Sequence, residues 1–513
     1  MGAWIVRADE LLSRLPDHRE VYATLDLEAI PLTEEEIAWD RDNHPLASVL
    51  SSYRDAIPKI EAGIQTALND GDEETADYWR SKRKEYLPVI EELEEKVGKR
   101  LTYNFEDSQK EWWHGALGAL IKDLEFLADE VVWEPEEEGR GFRSGIEEMR
   151  ARLRAAESVD ELSMESEESA ARWREATSSI ADEAECPHYG GLKLTPQRGL
   201  TPVGRDPSSG LWEFACVQSG EAPIRDDSGQ LVLIEESAIV LVLVPGGSYW
   251  MGAQSDDPGG RNFDAIATPK EAPVHEVELA TYFLSKYEVT QAQWKRIALT
   301  NPSYYKGSKR GINRDRMTGE VLSVITTLHP VEMVSWLDCS YAMTTQGLSL
   351  PTEAQWEFAA RAGTSTPWWT GVDPRALEGA ENLCDQSAAS IGEPGWSYEE
   401  WNDGFPAHAP VDALAPNPWG FHHILGNVGE WTREEFFVQS YRGEIEAGTG
   451  AHMAPDQDGE NAAYVEQAKG NRALRGPGWF RDADGVRVSA RYNAVEKFKT
   501  QSFGLRPARE LDA

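Results

Sequence analysis

The chain has 513 residues, of which 50 are basic, 89 acidic and 19 Trp, for a formal charge of −39. At roughly 100–200 residues per domain, that length predicts two to four domains. So much Trp excludes a wholly disordered chain, and with no Lys/Arg-rich run to track phosphates, no nucleic-acid partner is expected.

The four cysteines, Cys186, Cys216, Cys339 and Cys384, lie far apart with no C-x-x-C pair. That spacing predicts reduced, buried thiols and not a disulfide framework. The N-terminal stretch lacks the apolar core of a signal peptide, and no run approaches the roughly 20 apolar residues of a membrane span. The expectation is a cytoplasmic protein with no membrane partner. The acidity reads either as a solvated surface or as a field that repels nucleic acid and steers a basic partner.

Residues 1–185 hold 46 acidic and 22 basic residues, about three times the net charge density of the remainder. They are poor in Gly and rich in Glu, Lys, Arg, Ala and Leu, which predicts an acidic helical module. Leu87, Ile90, Leu93 and Val97 form one stripe, and Leu117, Leu120, Ile121, Leu124 and Leu127 a second. Ile146, Met149 and Leu153 start a third. Breaks near Gly71-Asp72, Gly98 to Thr102 and Pro135 to Gly145 predict a bundle or hairpins, not one coiled coil. Trp79, Trp112, Trp113 and Trp173 are expected as core anchors.

Residues 186–238 change grammar. Gly and Pro punctuate short apolar runs, and Asp226-Asp227-Ser228-Gly229 marks a hairpin turn before Leu231 to Ile234. A β-rich connector that adds strands to the last domain is expected. Residues 239–513 are dense in Gly, Trp and Pro. Two helices are legible there: Thr290 to Ile297, with Thr290 as N-cap, and Thr352 to Ala362, where Thr352 and Gln355 form a capping-box pattern.

Ten blocks follow in order in this last region, among them VPGGSYWMGA (Val244 to Ala253), APVHEVELATYFLSKYEVTQAQW (Ala272 to Trp294), HPVEMVSW (His329 to Trp336), LSLPTEAQWEFAARAG (Leu348 to Gly363), GFHHILGNVGEW (Gly420 to Trp431), RALRGPGW (Arg472 to Trp479) and FGLRPAR (Phe503 to Arg509). Together they resemble the formylglycine-generating enzyme, or sulfatase-modifying-factor, family. The resemblance implies an α+β, loop-rich domain related to C-type lectins, preceded here by helices and the connector. YGGLKLTPQ and GLWEFACVQSGE also resemble what precedes this domain in some bacterial proteins, some of which carry a kinase further upstream. No kinase loop, HRD or DFG occurs here.

The resemblance also says which chemistry to look for. Family oxidases bind Cu(I) through two cysteines five apart, since a thiolate is the soft ligand that copper favours. The pair follows R-G-G-S-[YF], here Arg475-Gly476-Pro477-Gly478-Trp479, so its positions fall at Arg481 and Val486. No Cys follows Cys384, the family Ser is Gly478, and the first Trp of W-E-W is Gly429. Copper and formylglycine formation are therefore not expected. An iron-dependent branch uses an H-x-x-x-H pair from an upstream helical domain. Here His18, His44, His114 and His188 form no such pair, so iron is not expected, and His114 reads as a partly exposed helix residue.

By resemblance a first calcium site comprises the Asn382 side chain, the Leu383 carbonyl, the Asp403 side chain and the Phe405 carbonyl, all hard oxygen donors. The bland alternative is an Asx-turn role for Asn382 and Asp403. A second cation site would retain the carbonyls of Gly426 and Val428 and the Glu430 carboxylate, but His423 replaces an oxygen donor. His422 and His423 are read as neighbours on an extended segment, pointing to opposite faces. Glu353, Trp356, Glu357, Arg475 and Arg506 are expected to be structural.

The resulting expectation is a non-catalytic binding or scaffold protein. Its binding surface would carry Trp431, Trp479, Phe480, Arg481 and Arg487, since aromatics and Arg anchor interfaces. A protein or peptide partner is expected in bacterial signalling or defence: a protease, a kinase or another effector. One alternative is an oxidoreductase of the superfamily with unrecognised chemistry. The other is a protease substrate or regulator cut at Glu134 to Gly145 or Glu161 to Glu168.

Overall fold

The apolar run Val240–Val244 is buried at every position and forms the middle of a five-stranded antiparallel sheet, as a short, uninterrupted apolar run predicts. A computed structural model describes residues 7–36 except 9 and 32, and 46–126 except 71–72, 99–102 and 106. It further describes residue 153 and residues 157–307, 312–314, 321–391, 396–437, 445–452 and 470–512. The chain divides into two compact units, Met1–Arg143 and Ser144–Ala513.

In the first unit, helices Ala47–Asp70 and Glu73–Gly98 pair, as do Leu15–Asp26 and Ser108–Phe126. The first pair is consecutive, as in an expected hairpin, whereas the second pairs helices from either side of it in the chain, as in the expected bundle. Leu50 and Ile90 are buried between the first pair, with Tyr53, Ile57 and Leu93 against them. Only part of each apolar stripe faces inward: Leu117 and Leu124 are buried, whereas Leu87 and Leu120 are exposed. Ile146, Met149 and Leu127 lie outside the described residues. Two expectations are corrected. Trp112 and Trp113 are exposed, their rings edge-on to each other. His114, expected near the surface, is buried: it stacks on Tyr22 at 4.3 Å and its Nε2 lies 3.1 Å from Asp26 Oδ1.

The second unit takes in more of the chain than the sequence suggests. Helix Glu167–Ala181, expected with the acidic module, belongs here because Trp173, Ala176 and Ile180 bury themselves in the main core. Trp173 lies 5.3 Å from Phe214, and its Nε1 donates to the Ser163 carbonyl. The connector contributes strands Leu200–Arg205 and Trp212–Cys216, and the latter pairs directly with Val240–Val244. Tyr282–Ser285 and then Ala508–Glu510 complete the sheet on the other side. A buried ion network fastens the connector: Lys286 Nζ lies 3.1 Å from Asp206 and 2.6 Å from Glu213. Ile224–Arg225 and Leu231–Val232 form the expected hairpin, with Gly229 at φ +84° in its turn.

A second sheet places Asn471–Gly478 between Tyr492–Val495 and Val428–Glu435, with Phe503–Gly504 parallel at the edge. The two legible helices form as Gln291–Ala298 and Glu353–Arg361, each with a complete capping box, at Thr290/Gln293 and Thr352/Gln355. A third, Trp336–Thr344, is capped by Ser335 and Asp338. Among the described residues, no helix is long and apolar enough to cross a membrane.

Candidate functional site

Strand Asn471–Gly478 delivers the segment where the resemblance places the oxidising cysteines. Gly478 sits at φ +100°, and a Cβ there would lie 3.1 Å from the Asn427 carbonyl oxygen and from Gly429 N. The positive φ favours glycine, and a side chain there would need its neighbours to give by a few tenths of an ångström. Trp479 follows, buried, its amide donating to the Asn427 carbonyl at 2.8 Å. Its ring touches Trp396 at 5.8 Å and Tyr305 at 6.1 Å. Phe480 is half-buried, and Arg481 is exposed with its guanidinium 5.1 Å over the Phe480 ring. Val486, at the second cysteine position, is fully buried.

No thiolate stands near enough in character to replace the missing pair. Cys384 is close through the backbone, its amide donating to the Arg481 carbonyl at 2.8 Å. Burial, together with Asp482, Asp385, Glu399 and Asp403, pushes its thiol up to about 12. A thiol held protonated is neither nucleophile nor copper ligand. The residues present do not fit a copper site.

Of the five residues expected on a binding surface, Arg481 is exposed and Phe480 half-buried. Trp479 lies beneath them. Trp431 and Arg487 are corrections: Trp431 is fully buried, with Nε1 bonded to the Val334 carbonyl. Arg487 is locked at 2.5 Å to Asp264 and 2.8 Å to Glu271. Burial explains both, since an anchor must be reachable. The sequence reading missed Trp396, Tyr398 and Tyr305, which join Trp479 and Phe480 in one aromatic group. It also missed Glu332 and His408 behind Tyr305. Glu332 accepts from Tyr305 N at 2.7 Å, and burial raises its carboxyl to about 8. Burial lowers His408 to about 3, and neither of its ring nitrogens has a hydrogen-bond partner. These residues sit on irregular segments, and no periodicity signals them.

The first calcium set converges in space. Asn382 is fully buried, and its amide nitrogen is spent on the Ala407 carbonyl and Asn427 Oδ1, both at 2.9 Å. Its Oδ1 has no hydrogen-bond partner. Leu383 N donates to Asp403 Oδ2 at 3.1 Å. Among the described residues, no hydrogen bond reaches the Leu383 or Phe405 carbonyl. Burial and the Asp385 carboxylate raise Asp403 to about 7. Asn382 offers an orphaned amide oxygen, and Asp403 a buried carboxyl that accepts from Leu383 N, Phe405 N and Ser387 Oγ; both are donor types that a hard cation takes. Asp403 also forms the Asx turn, Oδ1 accepting from Phe405 N at 2.8 Å.

The second set fits a cation poorly. Glu430 is committed to Arg506 and to Trp356 Nε1, at 2.9 and 2.7 Å. The amides of Gly426 and Val428 donate to Glu381 and Glu288. The histidine reading is corrected too: His423 has φ +49°, so the pair does not lie on an extended segment, and both rings are buried. Burial lowers His422 to about 4 and His423 to about 3. Among the described residues, no group of three His, Cys, Asp or Glu is arranged to hold a metal ion.

Other buried charges pair with one another. Arg475 reaches Glu357 and the Val488 carbonyl at 2.6 Å each, and Arg491 pairs with Glu353. The proposed cleavage stretch Glu161 to Glu168 is helical on both sides of the extended Ser166, with Ser163 buried. It lacks the exposed loop that proteases favour. Glu134 to Gly145 lies outside the described residues.

Residues 234–511 match the sulfatase-modifying factor enzyme 1-like domain. Over 266 residues the chain is 25% identical to the formylglycine-generating enzyme of Bos taurus, a match covering 44% of this chain and 66% of that protein. It thus spans just under two thirds of the bovine enzyme's length. It is 29% identical over 234 residues to the formylglycine-generating enzyme of Thermomonospora curvata, covering 38% and 72%. It is also 26% identical over 310 residues to the inactive Cα-formylglycine-generating enzyme 2 of Bos taurus, covering 52% and 87%. With more than half of its length matched, the chain belongs to the sulfatase-modifying factor enzyme 1-like family.

Proposed function

We propose that this protein is a non-catalytic binding or scaffold member of its family, engaging a protein or peptide partner at the surface of Trp396, Tyr398, Phe480 and Arg481. The observation that carries this reading is the pair of residues at the cysteine positions. An exposed guanidinium, Arg481, and a buried isopropyl, Val486, stand where soft copper ligands would be required. Aromatic faces and an Arg are the residue types that anchor interfaces. Calcium, held by Asn382, Leu383, Asp403 and Phe405, would fasten the loop behind this surface and supply positive charge to the Asp403 carboxylate. That a relative of similar coverage is named inactive supports the same reading.

The test is to incubate the full-length protein with Cu(I), oxygen and cysteine-containing peptides, scoring aldehyde formation, and to quantify copper and calcium in the purified protein. The expected result is calcium near one per chain, no bound copper and no aldehyde. Peptide-cysteine oxidation would sink the proposal.

A further inference from the structure

We infer that a cleft in the Ser144–Ala513 unit binds a small apolar α-amino acid as its zwitterion. Helices Gln291–Ala298 and Trp336–Thr344 both line it, and its volume is about 290 Å³. Trp294 and Ile297 stand three apart on the first helix, and Asp338 and Ala342 four apart on the second, so each pair shares a helix face. Trp294, Ile297, Val334 and Ala342 are no more than 4% exposed and give the cleft an apolar wall. The buried Trp294 Nε1 has no hydrogen-bond partner among the described residues. An indole N–H left without an acceptor costs free energy that an acceptor on a ligand would recover. Asp338 and Lys499 supply the charges of the cleft, 2.7 Å apart with side chains 39% and 45% exposed. None of these residues belongs to the surface of Trp396, Tyr398, Phe480 and Arg481.

Drug-sized ligands occupy pockets of about 300–1,000 Å³, so this cleft suits a smaller molecule. Its wall selects an apolar body, and its charges select the head. Among the described residues, Asp338 makes its side-chain hydrogen bonds and its ion pair through Oδ2, to Ser335 and Lys499. Its Oδ1 is left to accept from an ammonium, and Lys499 keeps two N–H donors for a carboxylate. A cation or an anion alone would open the pair and leave one member without a counter-charge. A zwitterion brings both signs, ammonium to Asp338 and carboxylate to Lys499. Its second carboxylate oxygen or its side chain supplies the acceptor for Trp294. The pair is half-exposed, so opening it costs little.

Isothermal titration calorimetry of the full-length protein tests this with L-leucine, L-methionine and L-phenylalanine, each also as its amide and its N-acetyl form. Each blocked form lacks one charge of the head. At least one free amino acid should bind with Kd below about 1 mM, and its blocked forms about tenfold more weakly or worse. Lys499→Glu should reverse the preference, so that the amide binds better than the free amino acid. Lys497→Glu, at an exposed neighbour in the same loop, should change nothing. Trp294→Phe keeps an aromatic ring and removes the donor, and should weaken binding several-fold. Lys499 is exposed, so its variant keeps the test valid even where Trp294→Phe perturbs folding. Failure of all three amino acids to bind would overturn the inference. Equal binding of free and blocked forms would overturn it too, as would a loss with Lys497→Glu as large as that with Lys499→Glu.

Discussion

Arg506 and Glu430 face each other in the interior, Nε to Oε1 at 2.9 Å, with neither side chain more than 1% exposed. The other guanidinium nitrogens of Arg506 donate to the carbonyls of Ser285, Lys286 and His422. Glu430 also accepts from Trp356. One ion pair thus joins both sheets, the Glu353–Arg361 helix and the His422 loop. Removing one partner strands a buried charge, at a cost of about 3–5 kcal/mol. Glu430→Ala and Arg506→Met should each lower the midpoint of thermal unfolding severely, while the double replacement Glu430→Leu/Arg506→Met should cost less than their sum. Additive losses would show that the pair is not the joint described.

Arg481 and Arg487 were alike in sequence and differ in environment, which gives a clean contrast. Arg487 is shared between Asp264 and Glu271, whereas Arg481 lies exposed on a ring. Arg487→Ala should destabilise by about 3–5 kcal/mol because two carboxylates lose their counter-charge. Arg481→Ala should change stability by less than about 0.5 kcal/mol, as surface substitutions do. Urea unfolding followed by Trp fluorescence measures both, and equal effects would contradict this division.

What the sequence revealed follows from what periodicity and spacing can carry. The N-cap at Thr290 and the capping box at Thr352 are local hydrogen-bond patterns, so they were legible, whereas Gln293 as the second half of a box at Thr290 was not read. The Ser335/Asp338 box has the same logic with Asp in place of Glu or Gln, a weaker signal that the motif reading passed over. Apolar stripes located the first unit's helices but not their buried faces, since Leu87 and Leu120 on those stripes are exposed while Ile90, Leu117 and Leu124 are buried. The Asn382 and Asp403 convergence came through family resemblance. The aromatic patch did not, because Tyr305, Trp396 and Trp479 are far apart in the chain and meet only through irregular loops.

Calcium binding can be read as stability. A ligand that binds only the folded state at about 100 times its Kd adds about 2.7 kcal/mol. Saturating calcium should therefore raise the unfolding midpoint of the full protein, and EDTA should reverse the rise. Asp403→Ala removes a hard donor and should abolish the calcium response. Asp385→Asn, which keeps the neighbour's shape, should retain it. A calcium response undiminished in Asp403→Ala would place the ion elsewhere.

Stability should vary with pH in a way set by buried groups of opposite sign. His329 and His408 are held down at about 3, so below an unfolded value near 6.5 the unfolded chain binds more protons and stability falls with acid. Glu332 and Glu434 are raised to about 8, so between about 4.3 and 8 the folded chain binds more protons and stability falls as pH rises. From about 4.3 to 6.5 the two pairs oppose each other. With His422 and His423 also held down and Asp403 held up, stability is expected to fall toward acid below about 4.3 and toward alkali above about 6.5. Glu332→Gln should flatten the alkaline decline. A maximum near pH 8 in thermal melts would contradict these protonation states.

The connector decides where the second unit begins. Strands Leu200–Arg205 and Trp212–Cys216 supply two of the five strands of the central sheet, yet both precede the family-matched region. Among the described residues, both ion pairs of Lys286 come from this connector, from Asp206 and Glu213. Phe283, fully buried, would lose the edge-on ring of Phe214 at 5.3 Å. A buried lysine without its partners costs several kcal/mol, and a sheet stripped of two strands exposes the Val240–Val244 edge to aggregation. A chain starting at residue 157 should therefore be soluble and unfold cooperatively. One starting at residue 239, close to the start of the matched domain, should aggregate or bind hydrophobic dye without a melting transition. Cooperative melting of the shorter chain would show that the matched domain holds its own sheet and that the connector is an appendage.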